Sequence, residues 1–202
     1  MNRSGGFYKL CYCLARAAIG IFHWLKVKGR ENIPDGAAIF CINHSSMVDP
    51  FLVAFAAGIK TQVHIISKAE LFRIPVISWI LTKLEMISVD RGILDTKSIK
   101  KTLRYLSGGG KVAIFPEGTR TQLDNAITAK NGAVKIAEHA GAPVVPVFIP
   151  RGKRLFRTVT LVIGEPYYIE KQSAKRSQAE YTKLAEALMD KINILKPEQH
   201  DI

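Results

Sequence analysis

His44 and Asp49 stand five residues apart in the run Asn43-His44-Ser45-Ser46-Met47-Val48-Asp49-Pro50. An imidazole is the side chain best suited to move a proton near neutral pH. A carboxylate that accepts its other ring N–H fixes the tautomer and favours the positive charge that develops when the ring takes a proton. On a regular helix, residues five apart point about 140° away from each other. The two side chains therefore meet only if His44 lies in a loop and Asp49 begins a helix. Pro50 fits that placement, because it disfavours helical geometry at Asp49 and is at home as a first helical residue. The same residues have a plainer reading, with Asp49 as a helix N-cap and His44 as a satisfied loop residue.

A second run, Phe115-Pro116-Glu117-Gly118-Thr119-Arg120, has the chemistry of an anion subsite. Gly118 permits close backbone approach, and the Arg120 guanidinium is a fork suited to phosphate or carboxylate. Glu117 is placed to accept from a substrate hydroxyl or to hold Arg120. A turn with a surface ion pair is the alternative. Other signals fail. Ser107-Gly108-Gly109-Gly110-Lys111 precedes a strand instead of opening a helix, and reads as a turn. No G-x-S-x-G nucleophile elbow occurs. His64, His139 and His200 have no metal-ligand spacing, so no metal site is expected.

Both runs follow short apolar stretches, and the pattern around them sets the fold class. Buried strands are predicted over Ala37–Ile42, Gln62–Ile66, Met86–Asp90, Lys111–Phe115, Val144–Ile149 and Thr158–Ile163. Helices are predicted near Pro50–Ala57, Pro75–Leu84, Asp95–Ser107, Lys130–Ala140 and Ser177–Leu195. Strand alternating with helix implies an α/β fold with a mixed, largely parallel central sheet flanked by helices. In such sheets chemistry collects in the loops outside the carboxyl ends of strands, where both runs fall.

Residues 6–27 form a different unit, apolar but interrupted by Lys9, Arg16, His23 and Lys26. A central Arg16 argues against a membrane span, and the charges are misplaced for a signal peptide. As one helix, Lys9, Arg16 and His23 form a narrow polar stripe with Tyr12 beside it. Leu10, Leu14, Ile21 and Leu25 belong to a wide apolar face. The expected division is an amphipathic membrane-interface helix over residues 1–27, cations toward the headgroups, and an α/β domain over 28–202. A helix packed on the domain's own core is the alternative.

Composition narrows the partners. The 202 residues carry 29 Lys plus Arg against 17 Asp plus Glu, a net +12, which implies an anionic partner. No run interleaves bases and aromatics, so nucleic acid is not expected. Cys11, Cys13 and Cys41 are odd in number and read as reduced thiols.

Taken in order, these blocks resemble the bacterial PlsC-type 1-acylglycerol-3-phosphate acyltransferases of the lysophospholipid acyltransferase family. Asn43-His44 through Asp49 resembles that family's His-four-residues-Asp motif, and Phe115 through Arg120 its Phe-Pro-Glu-Gly-Thr-Arg motif. Val27 through Pro34, Lys68-Ala69-Glu70-Leu71-Phe72, Val89-Asp90-Arg91-Gly92, Lys130-Asn131-Gly132-Ala133 and Val145-Pro146-Val147 resemble the remaining blocks. The likeness covers roughly residues 27–150. Relatives often carry a longer anchor or a two-helix amino-terminal motif, where one helix is found here.

The resemblance implies the glycerolipid acyltransferase fold and transfer of a fatty acyl group from a thioester to the sn-2 hydroxyl of lysophosphatidic acid, giving phosphatidic acid. It makes His44 the general base and Asp49 its orienting partner. It assigns the acceptor phosphate to Arg120 and Lys68, with Glu117, Gly118 and Thr119 shaping the subsite and Arg91 as a further cation. No bound cofactor is implied. The donor is acyl carrier protein or coenzyme A thioester, and anionic lipid on the cytoplasmic face of the membrane is the expected surface. Another lysolipid acceptor, a non-enzymatic lipid-binding module and a metal-dependent phosphohydrolase are the alternatives.

Overall fold

The most apolar pentapeptide of the chain, Ala38–Ile42, has no polar side chain and is buried along its whole length. It forms strand β2, and its alternation feeds two cores. Ile39 and Cys41 point to one layer, while Ala38, Phe40 and Ile42 point to the other. A strand apolar on both faces needs cover on both, and that requirement dictates the architecture.

A computed structural model describes residues 5–90, 95–123 and 129–197. Its elements run α1 (Gly6–Gly20), β1 (His23–Lys28), β2, α2 (Asp49–Ala57), β3 (Val63–Lys68) and α3 (Pro75–Lys83). They continue with β4 (Ile87–Val89), α4 (Thr96–Ser107), β5 (Lys111–Ile114), α5 (Gly132–Ala140), β6 (Val144–Phe148), β7 (Arg157–Ile163) and α6 (Gln178–Ile194). Short 3-10 turns occupy Arg30–Asn32 and Ala69–Arg73. The strands form a seven-stranded sheet in the order β1-β7-β6-β2-β5-β3-β4. From β6 to β4 every neighbouring pair is parallel; β7 runs antiparallel to β6, and β1 parallel to β7. The sheet is thus mixed and largely parallel. Residues of α4, α5 and α6 cover one face. Residues of α1 and α2 cover the other. Ser177 opens α6 with a capping box, exchanging hydrogen bonds with Glu180.

The amino-terminal helix is shorter than the sequence pattern suggests. It ends at Gly20, and His23–Lys28 is an edge strand paired with β7. Leu25 and Val27 pack on the core while Trp24 and Lys26 face outward, a period of two that the seven-residue spacing of Lys9, Arg16 and His23 disguised. His23 is accordingly a buried strand residue and not part of a helical stripe.

The helix also turns the other way from the expected one. Tyr8 donates to the carbonyl of Thr61, Tyr12 to that of Phe55, and the Arg16 guanidinium lies 5.3 Å from the centroid of the Phe55 ring. Tyr12 and Arg16 of the expected polar stripe therefore face the domain, while Lys9 stays exposed. Leu10, Leu14 and Ile21 are left exposed. Because Tyr8 meets Thr61 and Tyr12 meets Phe55, α1 and α2 run antiparallel, and the end of α1 comes to the start of α2.

Candidate active site

Three adjacent parallel strands end at one edge, and each hands a loop to it. Register places His44 beyond β2 level with Glu117 beyond β5, and Lys68 at the end of β3 level with Pro116. Asn43 fixes the first loop by extending the β2–β6 ladder with its side chain. Its Nδ2 donates to the Ile149 carbonyl at 2.7 Å, and its Oδ1 accepts the Ile149 N–H at 2.8 Å. A buried amide satisfied on both ends has one place to go, so the next residue, His44, leaves the strand in a set direction.

Asp49 is the first residue of α2, with Pro50 behind it, and is wholly buried. His44 Nδ1 lies 2.9 Å from its Oδ2. The same oxygen accepts the N–H groups of Ser45 and Ser46, each at 2.8 Å. Asp49 therefore ties the loop in front of the helix and does not cap the helix behind it. Burial alone would raise its pKa. The His44 hydrogen bond, the Lys153 ammonium and the Ser45 N–H outweigh that and hold it below the usual carboxylate range. An ionised carboxylate only accepts, so the neutral ring carries its proton on Nδ1 and presents its lone pair on Nε2. The ring stacks on Phe115 with centroids 4.1 Å apart.

Two residues that sequence reasoning passed over complete the site. Lys153, with a side chain only 4% exposed, puts Nζ 2.8 Å from Asp49 Oδ1 and 2.8 Å from Ser45 Oγ. Desolvation lowers its pKa against the pull of Asp49. Arg151 is buried and pairs through Nη2 with Glu117 Oε1. Its Nη1 donates to the carbonyls of His44 at 3.3 Å and Thr121 at 3.0 Å. Both follow β6, a parallel strand beside β2, so the loop rule that led to His44 also covers them. In sequence nothing separates them from the neighbouring Arg154 and Arg157.

Glu117 accordingly has another role than the one expected. It is 2% exposed, accepts the His44 N–H at 2.8 Å on Oε2, and holds Arg151 where Arg120 was expected. It braces the backbone of His44 from beneath the loop. Gly118 adopts φ +68, a left-handed geometry suited to glycine, and a Cβ there would press on the Lys130 side chain. Thr119, Arg120, Lys130 and Lys68 are exposed at the same strand edge. Arg91 lies outside the described residues. A cleft of about 280 Å³ between α4 and α5 has an apolar wall of Ile66, Phe115, Ala133 and Ile136 and a polar one that includes Asp90, Asp95, Ser98 and Lys130. Among the described residues no group of His, Cys, Asp and Glu is arranged to hold a metal ion.

Known proteins resemble this chain in sequence and fold. Residues 25–150 match the family described as Acyltransferase. A 1-acyl-sn-glycerol-3-phosphate acyltransferase of Bacillus subtilis is 34% identical over 94% of this chain and 96% of its own. One of Pseudomonas aeruginosa is 31% identical over 86% of this chain and 70% of its own. The crystal structure of the 1-acyl-sn-glycerophosphate acyltransferase PlsC from Thermotoga maritima superposes with a TM-score of 0.67 at 26% identity, covering 95% of this chain and 81% of that one. A His–Asp pair held at the carboxyl edge of a largely parallel sheet, in a chain matched over most of its length, places this protein in the acyltransferase family.

Proposed function

We propose that the protein transfers a fatty acyl group from a thioester of acyl carrier protein or coenzyme A to the sn-2 hydroxyl of lysophosphatidic acid, with His44 as general base. The observation that carries this reading is the His44–Asp49 pair itself, with Nδ1 engaged and Nε2 left to accept a proton. An alkanol is not appreciably ionised at neutral pH, so its proton must leave as attack begins. The hydroxyl oxygen attacks the thioester carbonyl while its proton passes to Nε2. The tetrahedral intermediate then expels the thiolate, which His44 protonates. Asp49 opposes the transient imidazolium charge, and Lys153 keeps the carboxylate ionised and fixed. No covalent acyl-enzyme is needed: Ser45 Oγ is turned to the Arg151 carbonyl and Lys153.

Acceptor choice rests on charge. Lys68, Thr119, Arg120 and Lys130 stand exposed at the strand edge beside the dyad, and phosphate is the group they suit. The apolar wall of the cleft behind Phe115 suits an acyl chain. Peripheral association is supported by the outward apolar face of α1, while no helix among the described residues is long and apolar enough to cross a membrane. The end of α1 meets the start of α2, so lipid held by α1 lies near His44. Cys11, Cys13 and Cys41 are free thiols, which favours a reducing compartment and hence the cytoplasmic face.

The test is purified protein with lysophosphatidic acid and oleoyl thioesters on both carriers, products resolved by mass spectrometry. Phosphatidic acid is expected, whereas faster acylation of a different lysolipid would reassign the acceptor. Arg120→Lys keeps the charge but loses the fork, and should lower kcat/KM for lysophosphatidic acid about tenfold. A phosphate-free monoacylglycerol should be a poor acceptor and little affected by the change. Equal losses on both acceptors would make Arg120 structural.

A further inference from the structure

The chain has two tryptophans, and both are exposed, Trp24 at 60% and Trp79 at 56%. Large aromatic rings in water are unusual enough to ask what covers them. They lie at opposite ends of α1. Trp79, on α3, packs edge-on against Phe7 of the first helical turn with centroids 5.4 Å apart. Trp24 follows the last turn on β1, beside a loop whose tip is held back to it. There the Phe156 N–H donates to the Phe22 carbonyl at 2.7 Å, and the two rings lie 5.6 Å apart. Phe156 holds a left-handed φ of +58, which a bulky side chain adopts only under constraint from its surroundings. Leu10, Leu14 and Ile21, exposed along α1, join the two ends. A 15-residue helix is about 22 Å long, so the tryptophans mark the ends of an apolar strip of roughly that length.

Charge identifies what the strip meets. No Asp or Glu precedes Glu31, and none occurs from Arg151 to Arg157, where the exposed Arg154 and Arg157 flank Leu155 and Phe156 while Arg151 and Lys153 are paired with Glu117 and Asp49. Arg154, Arg157 and Lys26 are exposed on the Trp24 side. Lys83 is exposed one helical turn after Trp79, and the flanks of α3 carry exposed groups of both signs, Arg73 with Glu70 before it and Glu85 after it, so the cationic frame is that of the Trp24 end. Apolar rings framed by cations are the pattern of an anionic bilayer interface, and tryptophan is the residue that settles at headgroup level.

Resting on the membrane-associated acyltransferase reading above, we infer that α1 is the middle of a three-part footprint. Trp79 on α3 and the Trp24–Phe156 corner enter the anionic lipid surface at its two ends. These two contacts are carried by α3 and by β1 and not by α1 itself, so they tie the body of the domain to the surface at both ends of the helix. They hold the His44 loop, at the Trp24 end of α1, toward the lipid.

The tryptophans report the test themselves. Trp24→Phe leaves Trp79 as the sole indole, and Trp79→Phe leaves Trp24; phenylalanine keeps the aromatic packing in each. The full chain is mixed with vesicles of phosphatidylglycerol and phosphatidylcholine, with and without bromine-labelled acyl chains, and followed by co-sedimentation and indole fluorescence. Both variants should sediment with the vesicles, shift their emission to the blue and lose at least half of it to brominated lipid. Trp24→Ala and Trp79→Ala should each weaken vesicle partitioning roughly tenfold. Chains that sediment while one indole stays unquenched would leave α1 as the anchor and overturn the footprint, with the membrane reading intact. Failure to sediment at all would remove both. A lipid-independent dimer with unquenched indoles would assign the strip to a second copy of the chain and equally overturn the proposal.

Discussion

His44→Ala should lower kcat for acyl transfer by roughly 10² or more, the usual size of a general base's contribution, while the fold survives. Survival is expected because the ring is not a core element: it lies on Phe115 and touches Asp49, while the loop is held by other groups. Asn43, the Glu117 carboxylate and the Ser45 and Ser46 N–H bonds to Asp49 all remain. Asp49→Asn should cost as much in rate and, unlike His44→Ala, should also cost stability. One amide oxygen can replace Oδ2, but the NH2 group then faces the Lys153 ammonium, 2.8 Å from the present Oδ1, donor against donor. Circular dichroism and urea unfolding of both variants, alongside initial rates, check the pair of outcomes. A folded His44→Ala protein with near-normal turnover would exclude it as the base.

The second large effect is expected where no substrate is touched. Arg151→Met strands the Glu117 carboxylate in a site only 2% exposed and removes donors from the carbonyls of His44 and Thr121. Breaking one partner of a buried ion pair costs about 3–5 kcal/mol, so the variant should be strongly destabilised in urea and lose most activity. Glu117→Leu should be as harmful, because the His44 N–H also loses its acceptor. The double variant Glu117→Leu/Arg151→Met should regain part of the stability, since no lone charge is left, but little of the activity. Full stability in Arg151→Met would show that the pair does not brace the loop.

Much of the molecule was legible in the sequence because its signals are local. Strands buried on both faces read as continuous apolar runs, and β2, β3, β5 and β6 fell where Ala37–Ile42, Gln62–Ile66, Lys111–Phe115 and Val144–Ile149 were expected, within two residues at each end. The Asp49-Pro50 step marked the start of α2, and thereby allowed His44 and Asp49 to meet. What was missed depends on partners far along the chain. The strand character of His23–Lys28 comes from pairing with β7, more than 130 residues later, and nothing local separates it from the end of an amphipathic helix. Arg16 faces inward because Phe55 offers it a ring, which no periodicity reveals. Glu117 pairs with Arg151 and not Arg120 for the same reason: the partner is 34 residues away in sequence and adjacent only once β6 lies beside β2.

Direct transfer, with no acyl-enzyme, can be read from the mass of the protein itself. The wild-type chain is incubated with an isotopically labelled oleoyl thioester, first without acceptor and then with lysophosphatidic acid, and intact protein and lipids are weighed at each stage. The expected result is an unmodified protein throughout, with labelled phosphatidic acid formed only after the acceptor is added. A protein that gains one oleoyl group without acceptor, and passes it to lysophosphatidic acid afterwards, would contradict direct attack and move the chemistry to a nucleophile on the enzyme.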